Sequence, residues 1–205
     1  MFANIVNMKS WLSIPALYRL FVRVVGANKC LAIYVPVYIR PQPSDKLLDI
    51  GCGPADILNH LPSVDYWGFD PSQKYINSAI NRFGQRGKFV CTSVTAEQVS
   101  TLTTFDIVLA NGVLHHLNDD EALELFELSK TALKQGGRLI TLDNCYGEGQ
   151  SSVARFIISR DRGRFIRTKN EYITLATKVF TNCKISIRHD LLRIPYTHII
   201  MECTK

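Results

Sequence analysis

Lys46-Leu47-Leu48-Asp49-Ile50-Gly51-Cys52-Gly53-Pro54-Ala55, residues 46–55, is the stretch whose reading decides the fold. A short apolar run empties into closely spaced glycines, the pattern of a buried strand followed by a tight turn. Glycines leave the backbone uncovered there, so a ligand can lie directly against it. In an open α/β sheet the binding crevice lies at the carboxyl ends of the strands. Asp49 through Gly53 are therefore expected to form the floor of a cleft.

Outward from this turn, short apolar runs recur at Lys46–Ile50, Tyr66–Asp70, Lys88–Cys91, Phe105–Ala110 and Gly137–Asp143, and helical patterns follow most of them. That alternation predicts βαβ units and a mainly parallel sheet. The clearest helix follows the fourth strand. Asn118 or Asp119 caps it, acids fill its first turn, Leu123, Phe126, Ala132 and Leu133 face inward, and Gly136 and Gly137 end it. At the C-terminal end, Cys183–Arg188 and His198–Cys203 are strand patterns joined by a loop containing Pro195, with no room for a crossover helix. They are expected to pair as an antiparallel hairpin.

The second strand runs out in Gly68-Phe69-Asp70-Pro71. This places an acid about 20 residues beyond the glycine turn, where carboxylates accept hydrogen bonds from ribose hydroxyls. A strand-end Asp serves equally often as a helix cap, and that alternative stays open for Asp70. The glycine turn departs from the dinucleotide fingerprint G-x-G-x-x-G, because its sixth position is Asp56. A negative charge there opposes a diphosphate and tolerates a cation. The turn thus favours a nucleoside without phosphates, and the terminal hairpin likewise disfavours a nicotinamide-dependent oxidoreductase.

The segments LLDIGCG (47–53), GFDPS (68–72), FDIVLANGVLHHL (105–117) and LKQGGRLITLD (133–143), in this order and spacing, resemble the class I S-adenosylmethionine-dependent methyltransferase family. The resemblance spans residues 46–205. It implies an α/β Rossmann-like three-layer sandwich whose seven-stranded, mostly parallel sheet has the order 3-2-1-4-5-7-6, with an antiparallel last strand. It also implies S-adenosylmethionine as cofactor and S-adenosylhomocysteine as product. Position by position, Asp49, Gly51 and Gly53 match the motif that packs against the methionine part, and Asp70 matches the ribose-binding acid. Pro71 and Ser72 flank the adenine. Ser93, beside Val94, stands where the family usually has an Asp bonded to the adenine amine. Asn111 and Gly112 match the turn that holds the cofactor's amino-acid end, with Asn111 as a plain turn former the alternative. Ala55 replaces a common third glycine, which would tighten the space near the methionine tail.

Methyl transfer from a sulfonium is an in-line displacement, and much of its rate comes from holding the acceptor ~3 to 3.5 Å from the methyl. A hydroxyl acceptor gains from a base, and His115 and His116 follow the fourth strand. Adjacent residues of a helical turn point in different directions, so at most one faces the acceptor. His116 is the candidate base and His115 a lining residue of the cofactor site; packing is the alternative for both. Arg160, Arg162, Arg164 and Arg167 follow the fifth strand, where substrate-binding insertions occur in this family. Arg162 and Arg167 are candidate acceptor contacts. Alternatively, Thr168 and Glu171 form a capping box and the arginines face solvent or pair with Asp161.

Residues 1–45 are expected to be an N-terminal helical lid segment, and residues 46–205 the S-adenosylmethionine-binding domain. Leu17, Leu20, Phe21, Val24 and Val25 recur at helical spacing, Gly26 stops the run, and Pro36, Pro41 and Pro43 mark an extended connector. Tyr18 and Arg19 are candidates to reach into the cleft from the lid. Lys9, Arg19, Arg23 and Pro15 break the apolar stretch well short of a membrane span, leaving weak contact with a membrane surface as the most it suggests.

With 205 residues, 46% of them hydrophobic and 20% charged, the chain fits one compact domain. The net charge of +6 is scattered rather than gathered, so nucleic acid is not the expected partner. The six cysteines show no zinc spacing and fit free thiols in a reducing cytoplasm, and no metal is expected. The resemblance implies methyl transfer, and because the chain has little beyond the core to recognise a macromolecule, a small-molecule or biosynthetic-intermediate acceptor is expected, oxygen ahead of nitrogen. An RNA or DNA methyltransferase is the enzymatic alternative, weakened because Asn111-Gly112-Val113-Leu114 stands in place of an N/D-P-P-Y/F tetrapeptide. A non-catalytic binding module with the same fold is the alternative from another class.

Overall fold

A computed structural model describes residues 25–205. Tyr18, Arg19 and the apolar positions Leu17 to Val24 lie outside the described residues. The chain runs through α1 (Ala27–Tyr34), a π-helical turn (Val35–Ile39), β1 (Lys46–Ile50), a 3-10 turn (Asp56–Asn59), β2 (Asp65–Phe69), α2 (Gln73–Phe83) and β3 (Gly87–Val90). It continues through α3 (Ala96–Thr101), β4 (Phe105–Asn111), a 3-10 turn (Leu114–His116), α4 (Asp119–Ala132), β5 (Leu133–Asn144), α5 (Ser152–Ser159), α6 (Lys169–Thr177), β6 (Asn182–Arg188) and β7 (His198–Thr204). The strands form one seven-stranded sheet of order β3-β2-β1-β4-β5-β7-β6. β1, β2, β3, β4 and β5 pair parallel, and β7 pairs antiparallel with both β5 and β6. This is the architecture that the family resemblance implies.

Alternate residues of the central strands feed opposite cores, as the period of two demands. Leu48, Ile50, Val108 and Ala110 pack with Phe126 of α4 and Tyr172 of α6. Leu47, Ile107 and Leu109 pack with Tyr34, Ile39 and Ala79 on the other face. Among the described residues, no helix is long and apolar enough to cross a membrane.

Two sequence expectations need correction. Gly26, a turn residue after the helical Val25, is the N-cap of α1, at φ +93. Pro36 then lies inside helical structure instead of an extended connector. The burial of Cys30, Tyr34, Val35 and Ile39 against the sheet explains this. Each buried side chain of this size contributes roughly 1.5–3 kcal/mol, enough to outweigh one interior proline. The backbone widens beside Pro36 into the π turn, closed by Arg40 N donating to Val35 O at 2.8 Å. The second correction concerns Gly136 and Gly137, which do not end α4. The helix stops at Ala132 and β5 already begins at Leu133, with the glycines inside it. The register slips between Phe105 and Ile107 of β4, and Gly136 sits at φ +77, so the pair forms a bulge.

Other local expectations hold. Asn118 caps α4 and Thr168 caps α6, each in a capping box with the glutamate three residues on. All six cysteines are free thiols.

Candidate active site

The carboxyl ends of β1, β2 and β4 meet at the glycine turn. Gly51 N and Cys52 N both donate to Phe69 O, at 2.8 and 3.0 Å, which fixes the turn against the end of β2. Asp70 fastens it from the side: Oδ2 accepts from Gly53 N at 3.0 Å, and Oδ1 accepts from Ser72 N at 2.8 Å. Each carboxylate oxygen has a lone pair beyond the one so used. A Cβ at Gly51 would strike Val113 Cγ2 at 2.7 Å, whereas one at Gly53 would meet no atom within 4 Å. The turn is therefore packed on one side and open on the other, with the Asp70 carboxylate at its edge.

Asp49 is buried, and Tyr66 donates its hydroxyl to Oδ2 at 2.6 Å. Burial pushes the Asp49 carboxyl up to about 7, against the opposing hydrogen bond from Tyr66 and with help from the Asp70 charge. At the end of β4, Asn111 Oδ1 accepts from the hydroxyl of Tyr34 in α1 at 2.7 Å. Gly112 N donates to Leu142 O at 2.8 Å. Pro71 is exposed, and Ser72 begins α2 without using its hydroxyl as a cap. Ser93 is exposed, while Val94 leans on the core.

On the other side of β4 the polar groups are side chains. His115 Nδ1 lies 2.7 Å from Asp143 Oδ1 at the end of β5, and its Nε2 lies 3.5 Å from Asp161 Oδ1 in the loop after α5. Tyr196, from the loop between β6 and β7, donates to Asp161 Oδ2 at 3.0 Å and accepts from Asn144 Nδ2 at 2.9 Å. Since Asn144 follows Asp143, these contacts close a ring. Burial alone would lower the His115 pKa, but the hydrogen bond and charge of Asp143, with Asp161 behind it, outweigh that and raise it. His116 is exposed, its ring centroid 4.1 Å from that of His115. Burial and the neighbouring His115 lower its pKa, so its imidazole is neutral at pH 7. Two buried acceptors in the ring, Asp143 Oδ2 and Asn144 Oδ1, have no hydrogen-bond partner among the described residues.

The arginine segment divides. Arg162 is exposed. Arg167 is buried, and its guanidinium donates to Leu114 O, Leu117 O, Phe165 O and the Asp119 carboxylate at 2.7–3.1 Å. It braces the chain between β4 and α4. Gly163 packs on His115 so closely that a Cβ there would lie 2.2 Å from Cδ2.

Asp49, Gly51, Gly53, Asp70, Asn111 and Gly112 thus gather along the carboxyl ends of β1, β2 and β4, and His115 faces the adjoining ring. Sequence reasoning passed over Tyr34, Tyr66, Asp143, Asn144 and Tyr196, and saw Asp161 only as a partner for the arginines. Asp143 carried a signal, being the acid that closes the fifth strand as Asp70 closes the second. Tyr34 and Tyr196 carried none, because their partners Asn111 and Asp161 lie 77 and 35 positions away.

Residues 48–139 match the methyltransferase-domain family. Among curated protein sequences none matches the chain. In structure, the chain is similar to the pyocyanin biosynthetic protein PhzM, with a TM-score of 0.72 and 15% identity over 96% of this chain and 61% of that one. It is also similar to the plantazolicin methyltransferase BpumL, at TM-score 0.62 and 17% identity over 96% and 94% of the two chains. A third likeness is to phosphoethanolamine N-methyltransferase 2 of Haemonchus contortus, at TM-score 0.64 and 18% identity over 87% and 52%. The chain spans less than two thirds of the length of the first and third of these. Residues 48–139 thus resemble the methyltransferase-domain family, and the sheet as a whole has the Rossmann-like fold of the class I S-adenosylmethionine-dependent methyltransferases.

Proposed function

We propose that this chain transfers a methyl group from S-adenosylmethionine to a hydroxyl of a small-molecule or biosynthetic-intermediate acceptor. The observation that carries the reading is Asp70, held by Gly53 N and Ser72 N beside a turn that is open at Gly53. That arrangement fits an adenosine: Asp70 would take the ribose hydroxyls, and Pro71, Ser72, Ser93 and Val94 would surround the base. Asp49, Gly51 and Gly53 would back the methionine part, Asn111 and Gly112 its amino-acid end, and His115 the wall beyond. The bound cofactor supplies an activated methyl on a sulfonium. The chain's own task is then to orient the acceptor, exclude water and take up a proton.

His116 is suited to the proton because its imidazole is neutral and exposed, whereas both nitrogens of His115 already face carboxylates. Asp143 Oδ2 and Asn144 Oδ1, acceptors lacking donors, support an acceptor molecule that carries O–H groups. Arg162 remains a candidate contact for it, while Arg167 serves as a brace. Residues 1–45 are proposed to cover the cleft, a reading supported by Tyr34 reaching Asn111.

Titration calorimetry with S-adenosylmethionine tests the reading. Asp70→Ala is expected to weaken binding by about 100-fold, roughly 2.7 kcal/mol. Wild-type protein that binds no cofactor at high micromolar concentration points instead to a non-catalytic module. A methyl-transfer screen of metabolite extract with labelled donor then identifies the acceptor. Salt-sensitive RNA or DNA binding near physiological ionic strength would move the acceptor to nucleic acid.

A further inference from the structure

We infer that Cys183 and Cys203 form a peroxide-oxidisable dithiol that closes a cross-strand disulfide between β6 and β7. The two residues stand directly opposite each other in the antiparallel ladder, and their Sγ atoms lie 2.9 Å apart. Directly opposed residues of such a ladder are about 4.5–5.5 Å apart at Cα, inside the span of about 4.4–6.8 Å that a disulfide bridges. A shift of about 1 Å brings the sulfurs to bonding distance. The backbone is therefore already placed, and side-chain rotation suffices.

The two thiols are unlike in a way that suits stepwise oxidation. Cys183 is half-buried, whereas Cys203 is buried. The neighbouring Cys203 lowers the pKa of Cys183, while the hydrogen bond to Cys183, together with burial, raises that of Cys203. The Cys183 thiolate is the one that attacks hydrogen peroxide, forming an S–O bond as the O–O bond breaks, and the departing hydroxide takes a proton to become water. The Cys203 sulfur then attacks the Cys183 sulfenic acid, loses its proton and displaces a second water. Two thiols are oxidised by two electrons and one peroxide is reduced to two waters.

The bond would fasten β6, the edge strand of the sheet, to its neighbour and close the hairpin whose loop carries Tyr196. The inference does not depend on the chemistry of the cleft.

Protein treated with hydrogen peroxide, denatured, alkylated and cut with trypsin provides the test. The expected product is the peptide 179–184 joined to the peptide 194–205, with the loss of two hydrogens. A rise in Tm of about 5–10 °C, reversed by dithiothreitol, should accompany it. Cys183→Ser, at a half-buried position that leaves the core intact, should abolish the joined product. Full alkylation of both thiols after a peroxide dose that oxidises the exposed Cys91 would overturn the inference. So would conversion of Cys183 to a sulfinic acid without cross-linking, or a linked protein whose Tm falls.

Discussion

Around Gly51 to Asp70 the cleft is built from backbone N–H groups and one carboxylate, and the defining contact joins Gly53 to Asp70, 17 positions apart. Across β4 the adjoining wall is a ring of side chains, whose contacts join residues 28, 35 and 52 positions apart. The first half is a local motif at the ends of consecutive strands. The second exists only because β5, the loop after α5 and the loop before β7 converge. On the proposed reading, a cofactor common to many enzymes is held by a repeated backbone device, whereas an acceptor particular to one enzyme meets side chains that are free to differ.

Breaking the brace of the second half should produce the largest change. Arg167→Met removes donors from the buried carbonyl of Leu114 and the part-buried carbonyls of Leu117 and Phe165. We expect a loss of about 3–4 kcal/mol in urea unfolding, from several stranded acceptors and a broken ion pair. Asp119, 74% exposed at its side chain, regains water and adds little of this cost. If cofactor affinity of the folded variant stays near that of the wild type, the two halves are energetically separate; a parallel collapse of cofactor binding would show them to be one unit.

The same contrast explains what could be read in advance. The hairpin, the glycine turn and the acid at Asp70 follow from patterns within a few residues, and so do a cap at Asn118 or Asp119 and the capping box at Thr168; the strand order came from the family resemblance. The ring at His115 depends on pairings across the whole C-terminal half. Arg167 was read as an acceptor contact or a surface cation because nothing nearby in sequence revealed the carbonyls it would meet. The proline-bearing segment after Gly26 was misread as extended because local propensity was overridden by tertiary burial of Tyr34 and Ile39.

A smaller effect should appear on titrating the ring. Asp143 and Asp161 act on both the His115 and the His116 rings, and His115 and Arg162 act on that of His116. His115 has its folded-state pKa raised, so its protonation stabilises the fold fully below the unfolded value of about 6.5. That contribution is lost as pH rises through the folded value. Wild-type stability to urea should therefore decline as pH rises from 6 to 9 by an increment that Asp161→Asn reduces, since the substitution removes one of the two attracting charges. An unchanged pH slope in Asp161→Asn would show that Asp143 alone holds the imidazolium.

The smallest change should come from the first half, at Ala55, a buried non-glycine residue in the left-handed region at φ +55. Ala55→Gly removes a backbone penalty of about 1–2 kcal/mol. It also discards a buried methyl worth about 0.8 kcal/mol and loosens the unfolded chain by about 0.4–1 kcal/mol. These terms nearly cancel, so Tm should move by no more than about 3 °C. Cofactor affinity should also hold, because the shape of the turn rests on Phe69 O and Asp70 rather than on the alanine side chain. A variant that bound S-adenosylmethionine tenfold more tightly would mean that the methyl crowds the ligand. The backbone device would then be tuned by a side chain after all, and the contrast between the two halves would narrow.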